Sequence, residues 1–166
     1  MIHAQFVRPD QLAKFVQYKF IPSFFTDHTF FFGDTHVKNR GKEQADFLSP
    51  MKSAYALGLH PANHTDYSVA PIDHMMTIWT AVNRVSRSGE IIGADERVTP
   101  LQALKALTIN GAYIYREEAG KGSLEPGKLA DLVILDANPL TVEPMAIKDI
   151  KVVETLKEGK TIYTAR

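Results

Sequence analysis

The chain has 166 residues, enough for one domain of ordinary size with its own core, and 45% hydrophobic against 23% charged residues excludes disorder for most of it. Lys plus Arg (19) balances Asp plus Glu (19), so no net field draws the chain to nucleic acid or to an anionic membrane surface. With zero cysteines there is no disulfide framework and no thiolate zinc site, so a metal would need His and carboxylate ligands.

"MIHAQFV" is short and β-favouring, and "RPDQLAKFVQYK" reads as a helix with Pro9 in its first turn and Leu12, Phe15 and Val16 on one face. "KFIPSFF" reads as a buried strand that Pro22 weakens. Strand, helix and strand within about 25 residues is the rhythm of a βαβ unit with parallel strands. Residues 26–50, "TDHTFFFGDTHVKNRGKEQADFLSP", show no clear periodicity and read as a long irregular connection, a feature often tied to function. "PMKSAYALG" is a short helix ended by Gly58, and "LHPANH" is the next strand. Pro71 is predicted to open a helix that Gly89 ends, with Ile72, Met75, Met76, Trp79 and Val82 on one face. Thr99 and Gln102 form a capping box ahead of "TPLQALKALTIN", with Leu101, Leu104 and Leu107 as its buried stripe.

The texture changes near Gly120. "GKGSLEPGK" is a turn-rich joint with a β-turn at Pro126–Gly127, and the rest is β-rich with a hairpin turn at Glu158–Gly159. The expected division is therefore an alternating α/β part over 1–119 and a small sheet over 120–166. No apolar run approaches the roughly 20 residues that cross a bilayer. "MIHAQFVRPD" has neither the basic nor the apolar region of a signal peptide, so the expected location is cytoplasmic.

Polar groups gather in two places. "GLHPANHTD" ends a strand with His60, His64 and Asp66. The C-terminal end of a strand is where α/β folds put their sites. Asp66 is either a metal-holding carboxylate there or the cap of a turn before the next helix. His60 and His64 are four apart and share a face of the strand, as ligands or as partners of ligands. The second cluster is His28, Asp34 and His36 in the long connection, where substrate contact or solvation outweighs ligation. Phe30–Phe32 reads as core before substrate lining, the Met75, Met76 and Trp79 stripe as core, and His74 as exposed. His3, on or after the first strand, reads by itself as packed or surface-exposed before ligand.

"IHAQFVRPDQLAKF", "FIPSFFTDHTFFFGDTH", "HTDYSVAPIDHMMTIWTAVNRVSRSGEIIG", "VTPLQALKALTINGAYIY" and "KGSLEPGKLADLVILDANPL" follow one another in this order. Together they resemble the C-terminal part of the metal-dependent amidohydrolase superfamily, nearest its amidohydrolase 3 (YtcJ-like) branch. The resemblance spans essentially the whole chain, and the run from Gly122 to Asp136 is its most specific piece. It implies an α/β fold: a partial (β/α)8 TIM barrel, its last three strands and helices over 1–119, followed by the C-terminal part of a small β-sandwich over 120–166. The family's divalent metal, zinc first, sits on a His-x-His pair of strand 1, a bridging carboxylate, histidines of strands 5 and 6 and an aspartate of strand 8. Residue by residue, His3 matches the strand 6 histidine and Asp66 the strand 8 aspartate. His28 and His36 fall in the loop after strand 7, where they and His64 would face a small-molecule amide.

The resemblance also implies a chemistry. A metal-bound water ionises near pH 7, Asp66 takes its proton, and a C–N bond is hydrolysed. No H-x-H occurs in the 166 residues, so only two of the family's ligands are present, against the three of an ordinary catalytic zinc site. The expectations are a fragment inactive by itself and a sheet with open edges that self-associates. The alternative is a non-catalytic binding or regulatory module that keeps the fold, in line with the regulatory label some of that branch carry.

Overall fold

The structure is a computed structural model and describes residues 1–165. Arg166, which closes the expected second segment, lies outside the described residues. Three two-residue strands, β1 (Ile2–His3), β2 (Ser23–Phe24) and β3 (Ala62–Asn63), form a parallel sheet in the order β1-β2-β3. Their register aligns His3 with Phe24 and Phe24 with Asn63, so the three carboxyl ends lie side by side.

Each strand is short for a local reason. β1 stops because His3 and Ala4 both take positive φ, 62° and 43°. In "KFIPSFF", Pro22 has no N–H to give, and only Ser23–Phe24 pair, although the Pro22 carbonyl still accepts from Ala62 N at 3.0 Å. The helix α1 (Pro9–Gln17) joins β1 to β2 with Pro9 in its first turn, and Leu12 and Phe15 are buried. Val16, expected on the same face, is 44% exposed.

The connection of 26–50 is not irregular. It forms α2 (Asp27–Phe31), α3 (Gly33–Arg40) and α4 (Lys42–Asp46). Pieces this short show no period in sequence, and Gly41 at φ 80° separates the last two. Next, α5 (Met51–Ala56) leads to β3, with Gly58 at φ 74° as expected.

The helix predicted from Pro71 begins instead at His74. In α6 (His74–Asn83), Asp73 is the cap and accepts from Met76 N at 3.0 Å. It ends at Asn83 rather than running to Gly89, because Arg84 turns left-handed at φ 54°. Nearly the whole circumference of α6 is buried, so its apolar stripe understates how deeply it sits; Ile72, before the helix, is exposed. The capping box Thr99–Gln102 does open α7 (Pro100–Leu107), but Ala103 and Ala106 are its buried residues while Leu101 is 49% exposed. Small residues let α7 lie close against α6 and β3. A short helix, α8 (Ile109–Ile114), follows.

Beyond residue 120, β4 (Leu132–Leu135), β5 (Val152–Lys157) and β6 (Lys160–Thr164) form an antiparallel sheet. The Lys128 N–H closes the Pro126–Gly127 turn on Glu125 O at 3.2 Å. Glu158 and Gly159, both at positive φ, make the two-residue hairpin loop between β5 and β6. The segment between β4 and β5 packs back on the first part. Ile147 and Ile150 join the core of Leu12, Phe24, Ile78 and Trp79. Trp79 Nε1 donates to Met145 O at 3.1 Å and Asn83 Nδ2 to Pro144 O at 2.9 Å.

Gly93 is the tightest point. Its φ is +70°, and a Cβ there would lie 1.8 Å from the carbonyl oxygen of Asp46. Gly93→Ala is expected to cost at least about 3 kcal/mol, since rigid backbone must move. A urea midpoint within error of the parent chain would contradict this.

Candidate metal and substrate site

The carboxyl ends of the parallel strands gather five of the eight histidine and aspartate positions of interest. His3 ends β1, and His64 and Asp66 follow β3. His3 Nε2 lies 3.9 Å from Asp66 Oδ2, and His3 Nδ1 lies 3.2 Å from His64 Nε2. One ligating atom from each of the three residues falls within 4.8 Å of the others. Around a zinc ion with bonds of about 2.0 Å, tetrahedral ligand atoms sit roughly 3.3 Å apart, so only a small closure separates this arrangement from a ligand set. Imidazole and carboxylate ligands suit zinc and also iron or nickel.

Asp66 is not the cap of the following helix; Asp73 has that role. Its φ is 51°, and with His3 at 62° both facing residues adopt the sparsely populated left-handed region. Strain of this kind is held where the surroundings over-determine it, and it gathers at functional sites.

His28 and His36 form a second group beside the first. Gln5 Nε2 lies 2.9 Å from both His28 Nδ1 and His36 Nε2, and those two ring nitrogens are 3.2 Å apart. One amide nitrogen with two hydrogens can satisfy both rings only if each offers a lone pair. Burial drives this: it pulls His28 down to about 4, helped by His36 and His3, and it lowers His36 with help from Arg40. Burial likewise brings His64 down to about 4. All three rings are neutral at pH 7.

Phe25, fully buried, is the common wall. Its ring stacks on His64 at 5.6 Å and meets His28 edge-on at 4.4 Å. The remaining sequence candidates lie elsewhere. Asp34 accepts from Ser86 and Ser88 hydroxyls at 2.6 Å and so holds a loop. His60 is exposed beside Tyr113, and His74 is exposed. Phe30 packs on Trp79, whereas Phe32 leans toward His28. Neither of the two principal clefts, about 530 and 260 Å³, is lined by a histidine.

Gln5, Ser23 and Phe25 escape sequence reasoning, because each is an ordinary residue until the strands align. Their signal is position, within two residues of a strand's carboxyl end. Below them, Asn63 ties β3 to the end of β2: its Oδ1 accepts from Thr26 N at 3.1 Å, and its Nδ2 donates to Thr26 Oγ1 at 2.7 Å.

The amidohydrolase family model matches residues 1–163. The chain belongs to this family. It is 30% identical over 135 residues to the N-substituted formamide deformylase of Arthrobacter pascens, covering 81% of this chain and 25% of that protein. It is 25% identical over 130 residues to the putative amidohydrolase YtcJ of Bacillus subtilis, covering 76% and 25%. An uncharacterized metal-dependent hydrolase from Pyrococcus horikoshii superposes with a TM-score of 0.74 at 28% identity, covering 86% of this chain and 29% of its own. The chain thus spans about a quarter of the length of these curated relatives, and it corresponds to their family's C-terminal part. Together these matches make it a mixed α/β piece of an amidohydrolase-family protein. Among the described residues, no helix is long and apolar enough to cross a membrane.

Proposed function

We propose that this chain carries the C-terminal share of a C–N bond hydrolase site, with His3 and Asp66 as metal ligands and zinc as the metal. Residues 1–119 are then the last three strand–helix units of a (β/α)8 barrel, and 120–166 a segment of the adjoining β-sandwich. The observation that carries the reading is His3 Nε2 lying 3.9 Å from Asp66 Oδ2 at the carboxyl ends of β1 and β3, the two outer strands of the parallel sheet. The deformylase relative, named for N-substituted formamides, supports a small amide as substrate.

A divalent ion at this point supplies a water that ionises near neutrality and polarises a carbonyl. The chain's own groups do the rest. Asp66 would help hold the ion and would serve as general base for the attacking water, giving its proton to the leaving amine. Neutral His28 and His36, fixed by Gln5, offer hydrogen bonds to an uncharged amide. Phe25 and Phe32 keep that side of the site dry, which strengthens each of those bonds.

With two family ligands present, zinc binding is expected to be weak and the isolated chain inactive. Calorimetric zinc titration checks the site: Asp66→Asn and His3→Ala should each weaken binding at least about tenfold. Equal affinity in all three proteins would overturn the assignment. Zinc-dependent turnover of N-formyl and N-acyl amines by the isolated chain, lost in Asp66→Asn, would overturn inactivity alone.

A further inference from the structure

His64 stands outside the ligand set matched to the family, yet it is the ring that touches His3. Three side chains form a line across the three parallel strands: His3 at the end of β1, His64 just past β3, and Ser23 in β2 between them. His64 Nε2 is 3.2 Å from His3 Nδ1, and His64 Nδ1 is 2.8 Å from Ser23 Oγ. The far nitrogen of His3, Nε2, faces Asp66.

The protons on this line can be placed. A neutral imidazole carries one N–H, and a nitrogen that binds metal needs its lone pair. If His3 ligates through Nε2, its proton lies on Nδ1 and requires an acceptor 3.2 Å away. His64 Nε2 is that acceptor when His64 keeps its proton on Nδ1, and Ser23 Oγ accepts the latter. With an ion on His3 Nε2, every nitrogen is then satisfied. The opposite direction, with His64 donating to His3 Nδ1, puts the His3 proton on Nε2 and leaves no lone pair toward Asp66.

We propose that His64 is a positioning residue that holds His3 in the Nδ1–H tautomer, freeing Nε2 for metal, with Ser23 holding His64 in turn. This rests on the reading of His3 as a metal ligand. Two further contacts fix the ring: it stacks on Phe25, and its backbone N–H donates to Asn63 Oδ1 at 3.2 Å. Metal-bound histidines commonly pass their second N–H to an oxygen acceptor; here a second imidazole has that place.

Long-range proton–nitrogen NMR on the metal-free, 15N-labelled chain at pH 8 reads both tautomers directly. His3 and His64 are expected as Nδ1–H. His64→Ala should return His3 to a mixture dominated by Nε2–H and weaken zinc about 10- to 100-fold, and His64→Gln, whose carbonyl can accept the same proton, should restore both. Should His64→Ala fail to fold, Ser23→Ala should still mix the His64 tautomers. An unchanged His3 tautomer in His64→Ala overturns the proposal. So does a zinc-induced shift of His64 Nε2 into the metal-bound range, which makes His64 a ligand. Absent zinc binding with the tautomer switch intact would sink the metal reading of His3 and leave the positioning relation standing.

Discussion

Replacing Arg84 with methionine is expected to destabilise the chain by about 4 kcal/mol, lowering its melting temperature by roughly 8–16 °C. Arg84 is fully buried, and its partners are backbone carbonyls rather than a carboxylate. The guanidinium donates to Ile92 O at 2.6 Å, Leu48 O at 2.7 Å, Asp46 O at 3.3 Å and Ser49 O at 3.4 Å. Burial lowers its pKa to about 10, offset in part by Glu96 and Asp46, so the cation persists at neutral pH.

Methionine fills much of the volume but donates nothing. The carbonyls, three turned inward by α4 and the loop after it and one by Ile92 beyond α6, lose their donors. A buried acceptor left unpaired costs about 1–3 kcal/mol, and at least two here are short, strong bonds. Lysine should recover only part of the loss, since a single ammonium cannot span carbonyls from two segments as a planar fork does. Arg8→Met, on the exposed face, is the control and should stay within about 0.5 kcal/mol. A loss under about 1 kcal/mol at Arg84 would show that water reaches these carbonyls.

That staple also explains what sequence could and could not reveal. Arg84 reads as one more scattered cation on a predicted helix, because burial of a charge by carbonyl oxygens has no local pattern. By contrast, Pro9, the Thr99–Gln102 box and the Glu158–Gly159 loop are local chemistry, and each marks its element within a few residues. The helices between Asp27 and Asp46 were missed because five to eight residues span too few turns for a period to stand out. In the site, the resemblance picked out His3 and Asp66, far apart in the chain, and the parallel register brings them together. The placement of His64 against His3, and of Gln5 between His28 and His36, depends on strand register that no stretch of sequence encodes by itself.

Acid should expose two buried groups of opposite sign, and variant-minus-parent stability curves separate them. Asp27 is raised from 3.8 to about 6, mainly by burial, while hydrogen bonds from Thr80 and Thr77 oppose the shift. Thr80 Oγ1 donates to Asp27 Oδ1 at 2.8 Å and Thr77 Oγ1 to Oδ2 at 3.2 Å. Between pH 3.8 and 6 the folded chain therefore holds more protons at this site than the unfolded chain. Its contribution to stability is present below about pH 4 and is lost as pH rises to about 6, a change of about 3 kcal/mol. His28 runs the other way. Its folded value of about 4 lies below the ordinary 6.5, so the unfolded chain takes the proton first and stability is lost as pH falls from 6.5 to 4. For a half-buried ring the loss is about 1–2 kcal/mol after solvent screening. Asp27→Asn removes the first term, so relative to the parent it should gain about 3 kcal/mol between pH 4 and 7. His28→Gln removes the second and should gain relative to the parent as pH falls through the same range. All other titrating groups cancel in these differences, so a flat Asp27→Asn difference curve from pH 4 to 7 would mean that the buried carboxyl is ionised throughout, with its two threonine hydroxyls outweighing the cost of burial.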